Sequence, residues 1–455
     1  MKHDHKRTFE SESIGKLLFK MALPATIGMI VNALYNLVDT IFVGHGVGAM
    51  GIAGLTIGLP VQALIGALGM TFGTGAASII SRRLGEKRPE DAAKTAVNAF
   101  GLAFIFSMII MAIGEIFIDP LLILFGSSET ILPFAREYMR VILMGSVFLS
   151  FAMVGNNIAR AEGQPKIAML TMVIGAGLNI ILDPIFIFGL NMGIRGAAIA
   201  TVISQFFSFA FIMRFMMTGK SHLPLKWKYI KPDLTLMREI NILGMPTLAR
   251  QGGMSLLALV MNNVLKHYGG DMGIATYGMI NRLFMFTLMP IFGVVQGYQP
   301  IAGYSYGAKL VDRLREVNIK AFQTTCTMSF LSFLVLEVLA GFLIRMFTSN
   351  DELIRLAVPA LRISSMGIGL LGLQVIGSTY FMSVGQAFPA FFLSLSRQFV
   401  FLIPLVLILP HFLGLKGIWI ALPVADVLSV TLTMTWFTLS WQKTKQRLTM
   451  EAAAL

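Results

Sequence analysis

Four polar side chains occur at helical spacing within the first apolar segment of the chain. They stand at positions i, i+3, i+4 and i+7 of that segment: Asn32, Tyr35, Asn36 and Asp39. A helix places all four on one face. A charged carboxylate in an apolar environment is unfavourable by several kcal/mol unless a proton or a cation accompanies it. The pattern therefore predicts that Asp39 binds a proton or a cation.

A second carboxylate, Asp183, lies in another apolar segment, four residues after Asn179 and directly before Pro184. If Asp39 and Asp183 are close, their like charges cannot both persist, and the pair titrates as one coupled unit. No nearby Lys or Arg on these segments offers a permanent partner, so we expect a mobile counter-ion, H⁺ or Na⁺. Asn and Thr oxygens beside a carboxylate suit a hard cation. The alternative is that each Asp is permanently protonated and only joins helices by hydrogen bonds.

The segments that carry these residues belong to a chain with a membrane composition. Of its 455 residues, 56% are hydrophobic and 13% are charged, whereas a soluble protein carries about a quarter of charged residues. Apolar runs of the length that spans a bilayer, ~20 residues, recur from end to end. We predict an all-α integral membrane protein with twelve transmembrane helices near residues 17–43, 52–80, 93–118, 134–160, 166–189, 194–217, 238–266, 274–302, 315–341, 355–383, 387–411 and 416–440.

Basic residues cluster at the N-terminus, after the second, fourth, sixth and eighth spans, and at the C-terminus. This pattern predicts a multi-pass membrane protein with both termini in the cytoplasm. It also accounts for the net charge of +13 without nucleic-acid binding.

The first apolar run is too long for a cleaved signal peptide. A single cysteine, Cys326, permits neither an internal disulfide nor a thiolate metal site.

The two halves of the chain resemble each other at a constant offset of 222 residues. His45–Gly54 aligns with His267–Thr276 in this register, which indicates a duplication. We predict an N-terminal lobe at 1–218, a cytoplasmic linker at 219–237 that contains Pro224 and Trp227, and a C-terminal lobe at 238–455. Six spans in each half insert the lobes the same way up, related by an axis along the membrane normal. A cleft between such lobes is the expected place for a substrate.

The polar groups are confined to the first half. The counterparts of the first-span stripe are Met254, Leu257, Ala258 and Met261, and those of Asn179 and Asp183 are Phe401 and Leu405. Asn156 and Asn157 correspond to Ser378 and Thr379, and Thr201 corresponds to Leu422 or Pro423 across a one-residue slip. We therefore predict a polar pocket in the N-terminal lobe alone. Four other charged residues lie within spans: Arg282, Glu337, Arg397 and Asp426. We expect them to form interior pairs or to line the cleft, and pairing is favoured for Glu337 and Asp426.

These segments resemble the MATE (multidrug and toxin extrusion) family over nearly the whole chain. LPATIGMIVNALYNLVDTIFVG and GLNIILDPIFIFG are similar to signatures of its DinF-like branch, MepA type, as are AREYMRV and GIRGAAIAT. The resemblance implies two six-helix bundles in a V that exchange H⁺ or Na⁺ for organic cations. In the NorM-like branch, acidic residues of the C-terminal lobe also take part, but the counterpart of Asp39 here is Met261.

The resemblance also implies roles for particular residues. A cation site is implied at Asp39, Asn179, Asp183 and Thr201, which would also hold Na⁺ in a sodium-coupled protein, with Asn156 nearby. Substrate contact or gating is implied for Tyr35, Asn36, Tyr138, Asn157 and Pro24, where the first helix would bend.

The sequence thus predicts a monomeric multidrug antiporter of antibiotic-resistance type, with no cofactor beyond the coupling ion and with organic molecules and membrane lipid as its partners. No Walker A motif and no enzyme motif occurs in it. An alternative is a flippase or exporter of a lipid-linked precursor, which requires a strongly basic cavity to hold pyrophosphate. A second alternative is a membrane receptor or scaffold, which would bind ligand regardless of any ion gradient.

Overall fold

The structure is a computed structural model that describes residues 9–219, 221–223, 229 and 231–453. Every regular element among these residues is helical, which confirms the predicted fold class. The predicted linker residues Pro224 and Trp227 lie outside the described residues, and the lobe boundaries at 218/219 and 237/238 stay a prediction.

Seven helices lie between Ile14 and Met217 in the described part of the first half. They are α1 (Ile14–Val47), α2 (Ala49–Gly85), α3 (Pro89–Ile116), α4 (Ile118–Leu124), α5 (Leu132–Ala161), α6 (Pro165–Pro184) and α7 (Gly193–Met217). A π-helical turn, Ile185–Gly189, extends α6. Helix α6 begins with a proline at its first turn, where the missing N–H is not needed.

The second half contains longer and more strongly broken helices. They are α8 (Leu234–Gly307), α9 (Val311–Val338), α10 (Ala340–Arg345), α11 (Asp351–Ser365), α12 (Ile368–Ser383), α13 (Ala387–Leu395), α14 (Ile403–Ile408), α15 (Pro410–Leu413) and α16 (Leu415–Ala453). A π-helical turn at Ser396–Leu402 joins α13 to α14.

The described residues contain the twelve predicted spans. Ten helices are long and apolar enough to cross a membrane, and the bent pair α11 and α12 supplies one more. The 74-residue helix α8 has non-helical backbone angles at Gly270 (φ 56°, ψ −153°). This break divides α8 into the seventh and eighth predicted spans.

The chain forms two compact units, and helices α1 and α8 pass from one unit into the other. One unit contains Leu23–Gly244 and the residues up to Ser11, and the second contains Glu12–Ala22 and the residues from Met245 onward. Both crossings occur just before a proline, Pro24 in α1 and Pro246 in α8. The crossings are equivalent in the duplication, because 22 and 244 differ by the offset of 222.

The duplication is visible in the contacts of these helices. A Cβ atom added at Gly75 would lie 2.1 Å from the carbonyl oxygen of Ile240 in the first unit. A Cβ atom added at the equivalent Gly297 would lie 2.9 Å from the amide nitrogen of Ala22 in the second. Glycine is needed at both positions because backbone approaches backbone there.

Breaks between helices recur in the same register. Positive φ angles occur at Gly48 and Gly270 (81° and 56°) and at Gly163 and Gly385 (78° and 81°). The last such pair, with φ of 56° at both residues, is Gly193 and Gly414, which are 221 residues apart. The one-residue slip therefore precedes α7 and α16, and Leu422 is the counterpart of Thr201.

Candidate cation-binding site

The candidate site lies in the first unit, where α1 and α6 pack side by side. Glycines make the approach possible: a Cβ at Gly28 would lie 2.7 Å from Met172, and one at Gly46 would lie 2.2 Å from Ile187. Between these contacts, Asp39 of α1 and Asp183 of α6 come together. Pro184 has no backbone N–H, and the wider turn Ile185–Gly189 follows it. Such turns are frequent at functional sites.

The two carboxyl groups are buried and in contact. Asp39 is 5% exposed and Asp183 is fully buried, and their side chains lie within hydrogen-bonding reach of each other. Two carboxylates at this distance cannot both carry an uncompensated charge. The pair therefore needs a proton or a cation between its oxygens.

An amide and two hydroxyl groups hold the pair in place. The Asn179 Nδ2 atom donates to Asp183 Oδ1 and to Thr201 Oγ1, both at 3.2 Å. Thr201 also lies within hydrogen-bonding reach of the hydroxyl of Tyr35. Asn179 and Thr201 are buried as deeply as the acids. The sequence prediction that brings Tyr35, Asp39, Asn179, Asp183 and Thr201 together agrees with this geometry.

Three oxygens of this cluster are buried without a hydrogen-bond partner among the described residues. They are Asp39 Oδ1, Asp183 Oδ2 and Asn179 Oδ1. A buried polar atom without a partner is unfavourable by about 1 to 3 kcal/mol. Carboxylate and amide oxygens are the ligands that a hard cation prefers. A proton or a hard cation such as Na⁺ would satisfy these oxygens.

No Lys or Arg in the described part of the chain forms an ion pair with Asp39 or Asp183. The second unit differs, because Arg397 Nε lies 2.5 Å from Asp426 Oδ1. Glu337 lies 3.8 Å from the guanidinium of Arg362. The predicted interior pairing thus holds for Asp426, whereas the Arg362 partner of Glu337 is 52% exposed. Among the described residues, the acid pair of the first unit has no such fixed cation.

Tyr138 of α5 extends the site, together with a residue that the sequence reading missed. Tyr138 is 2% exposed and close enough to Asp39 and Asp183 to interact with them electrostatically. Its hydroxyl accepts a hydrogen bond of 2.8 Å from Gln62 Nε2 on α2. A comparison of the two halves could have identified Gln62, because its counterpart at the offset of 222 is the apolar Phe284.

Asn156 is not brought to the acid pair, which corrects the implied position. Gly145 packs on Val202, beside Thr201, whereas Gly155 packs on Ile212. Ten residues of helix separate the two contacts by about 15 Å. Asn156 therefore lies about three turns from the Asn179–Thr201 hydrogen bond, buried and with an Oδ1 atom that has no partner among the described residues.

The hydrogen bonds of two other implied contact residues, Asn157 and Asn36, do not involve the acids. Asn157 accepts a hydrogen bond of 3.0 Å from Arg160 and donates one of 2.8 Å to the Met153 carbonyl. Asn36 is exposed, and its side chain donates to the Asn32 carbonyl at 2.8 Å. Pro24 lies inside the continuous helix α1. Their roles in substrate contact or gating stay predictions.

Every residue of the site corresponds to a hydrophobic core position in the second unit. The seven counterparts of Tyr35, Asp39, Gln62, Tyr138, Asn179, Asp183 and Thr201 are Leu257, Met261, Phe284, Ala360, Phe401, Leu405 and Leu422. Four of the counterparts are buried members of one hydrophobic cluster, and the other three, Phe284, Phe401 and Leu405, are partly buried and pack against it. The same helical framework thus folds with an apolar interior at these positions, and its packing does not require the polar groups.

Comparisons with known proteins agree in fold and length. The MatE family model matches residues 24–185 and 246–408. The multidrug export protein MepA of Staphylococcus aureus is 28% identical over 95% of this chain and 96% of its own. MepA of Staphylococcus haemolyticus is 28% identical over 100% of this chain and 99% of its own. A crystal structure of a MATE protein in the bent conformation has a TM-score of 0.92 at 28% identity, and covers 98% of this chain and 99% of that one.

Proposed function

The chain belongs to the MATE family, and on this premise we propose that it is a secondary active exporter of organic molecules, driven by H⁺ or Na⁺ moving inward through the acid pair. The observation that carries the proposal is the contact of Asp39 with Asp183 in a site without a fixed cation. A buried acid pair that must bind a mobile ion is a suitable coupling site.

The electrostatics of the pair support an exchange cycle. When the site opens outward, a proton or Na⁺ enters and neutralises the two acids. A change of conformation then releases the substrate outside, and the inward-open state releases the ion to the cytoplasm. Each charge that moves down the membrane potential supplies ~2.3 kcal/mol per 100 mV, which supports a concentration ratio of a few tens.

The proposed substrates are drug-like organic compounds, often cationic. Both Staphylococcus relatives are named multidrug export proteins, and an acidic pocket attracts cations. A flippase for a lipid-linked precursor would need a strongly basic pocket, whereas the described pocket contains two acids and no ion-paired Lys or Arg. We place the protein, as a monomer, in the cytoplasmic membrane of a bacterium or archaeon, with both termini in the cytoplasm.

The experiment that tests this proposal uses proteoliposomes loaded with a cationic dye. A pH gradient and a Na⁺ gradient are imposed in separate runs at zero membrane potential. We expect dye export in response to one gradient, which also identifies the coupling ion. Dye movement that ignores both gradients would refute ion coupling, whereas dye binding without movement would favour the receptor alternative.

A further inference from the structure

A second charged cluster lies within the second unit, on the helices around the π-helical turn Ser396–Leu402. Arg397 in this turn donates through Nε to Asp426 Oδ1 on α16. The carboxylate is 1% exposed, whereas the Arg397 side chain is 23% exposed. The pair therefore has a buried acidic end and an accessible basic end.

Most of the hydrogen-bonding capacity of Arg397 is unused. A guanidinium group carries five N–H donors, and only Nε has a partner among the described residues. Neither terminal nitrogen is a fully buried atom without a partner, so each retains some solvent-accessible surface. A planar fork of free N–H groups is the geometry that binds a carboxylate through two hydrogen bonds.

The depth of Arg397 indicates what its free end faces. The residue lies near the middle of the span Ala387–Leu413. A charged side chain at that depth faces the protein interior or a water-filled cavity, because exposure to lipid is strongly unfavourable. The ring of Tyr277 is half-buried and close enough to feel the Arg397 charge. An organic anion that reached Arg397 would thus find an aromatic surface beside it.

The fold does not need this pair. In the first half, the counterpart of Arg397 is Gly175, and that of Asp426, past the slip, is Gln205. The second half also makes room for the carboxylate, because a Cβ atom at Gly367 would lie 2.4 Å from Asp426 Oδ2. A buried ion pair is often no more stabilising than an apolar pair of similar volume, so packing alone does not account for Arg397 and Asp426.

We propose that Arg397 binds a carboxylate or a similar acceptor group on transported molecules, with Asp426 holding the guanidinium in position. The inference rests on the proposed export function and extends it to zwitterionic substrates. The two halves then have different roles. The acids of the first unit bind the ion, and the arginine of the second unit recognises the anionic part of a substrate.

A matched pair of dyes tests the proposal: one xanthene dye as its free carboxylic acid and as its methyl ester, which differ in a single negative charge. Export of each from proteoliposomes is measured as a function of dye concentration. The variants are Arg397→Lys, which keeps the charge but loses the fork, and the double variant Arg397→Gln with Asp426→Asn, which leaves no buried charge unpaired. Arg355→Gln, an exposed arginine of α11, serves as the control.

We expect the double variant to raise the KM for the free acid about tenfold, as loss of hydrogen bonds to a charged group predicts, with the ester unaffected. Arg397→Lys should raise the KM for the acid by a smaller factor. An equal loss of export for both dyes would show that the Arg397–Asp426 pair is only structural, and it would overturn the inference. An unchanged KM for the free acid in the variants would overturn it too. Wild-type export of the ester alone would refute the inference but not the export function, whereas export of neither dye would refute both.

Discussion

Asp39 and Met261 occupy equivalent positions in the two halves of the chain, and both side chains are buried. Met261 packs in a hydrophobic cluster with Leu257 and Leu422, whereas Asp39 contacts a second acid. One framework thus accepts either a methionine or a carboxylate at the same place. The carboxylate is the less stable choice unless an ion occupies the site, which is the physical reason to assign it a transport role.

The Thr201 hydroxyl should tune the affinity for the coupling ion. Thr201→Val removes the group that accepts from Asn179 at 3.2 Å and contacts Tyr35, so the amide loses its fixed orientation. The loss of one such hydrogen bond predicts an increase of about fivefold in the apparent KM for the driving ion. Thr431→Val, at an exposed threonine of α16, should leave this KM unchanged. An unchanged KM in Thr201→Val would contradict the assigned geometry.

Gln62 and Tyr138 should act as one unit. Tyr138→Phe leaves the Gln62 amide without the acceptor that it has at 2.8 Å, and Gln62→Met removes the donor. We expect each single variant to raise the KM for the driving ion a few-fold, with the double variant no worse than the poorer single. Dye export at varied ion concentration measures this double-mutant cycle. If the effects of the two single variants on KM are strictly additive in the double variant, Gln62 and Tyr138 act independently.

The crossing of α2 with the start of α8 should tolerate no side chain at Gly75. Gly75→Ala places a methyl group against the Ile240 carbonyl, a backbone group that cannot rotate away. We expect a loss of about 1 to 3 kcal/mol in the free energy of unfolding. Gly66→Ala on the same helix is the matched control, because its nearest neighbour is a Met153 side-chain atom at 3.5 Å. Equal melting temperatures for both variants in detergent would refute the close crossing.

Glu162, between α5 and α6, should make stability depend on pH. It is 1% exposed, and it accepts hydrogen bonds from the Ser221 hydroxyl (2.8 Å) and the His222 amide (2.7 Å). Burial raises the pKa of Glu162 to about 7 from an ordinary 4.5. Its proton is thus bound more tightly in the folded state, and stability decreases as pH rises from about 4.5 to 7.

The variant Glu162→Gln removes this titration and keeps an acceptor for the two donors. We expect its melting temperature to exceed that of the wild type at pH 8, and the difference to shrink as the pH falls through 7 towards 4.5. Glu129→Gln, at an exposed glutamate, should show no such trend. A difference between wild type and Glu162→Gln that does not vary with pH would contradict the assigned pKa.

Much of the fold and most of the site follow from local patterns. The apolar runs predict the spans, and the offset of 222 residues predicts the repeated breaks at Gly48 and Gly270. Helical spacing puts Asp39 and Tyr35 on one face, and comparison of the halves identifies Asn179 and Asp183. The same comparison along the second span would have found Gln62.

Depth and pairing could not be predicted in this way. Helical spacing states which face a residue occupies but not the turn of the neighbouring helix that it meets, so it does not test the position near the acids that the family resemblance implies for Asn156. The sequence likewise leaves open which arginine meets Asp426, because Arg397 lies 29 residues away on another helix. The contact of Asp39 with Asp183 required the packing of α1 on α6, which depends on the small residues Gly28 and Gly46.

The most direct test of the central claim measures ion counterflow in the same proteoliposomes that report dye export. Proton movement is followed with an internal pH indicator, and Na⁺ movement is followed with radioactive sodium. With wild-type protein, we predict ion entry that begins with dye export and stops when the dye is absent. With Asp39→Asn or Asp183→Asn, we predict neither flux, while Asp271→Asn, at an exposed aspartate, behaves as wild type. Dye export coupled to ion entry in both acid variants would contradict the account.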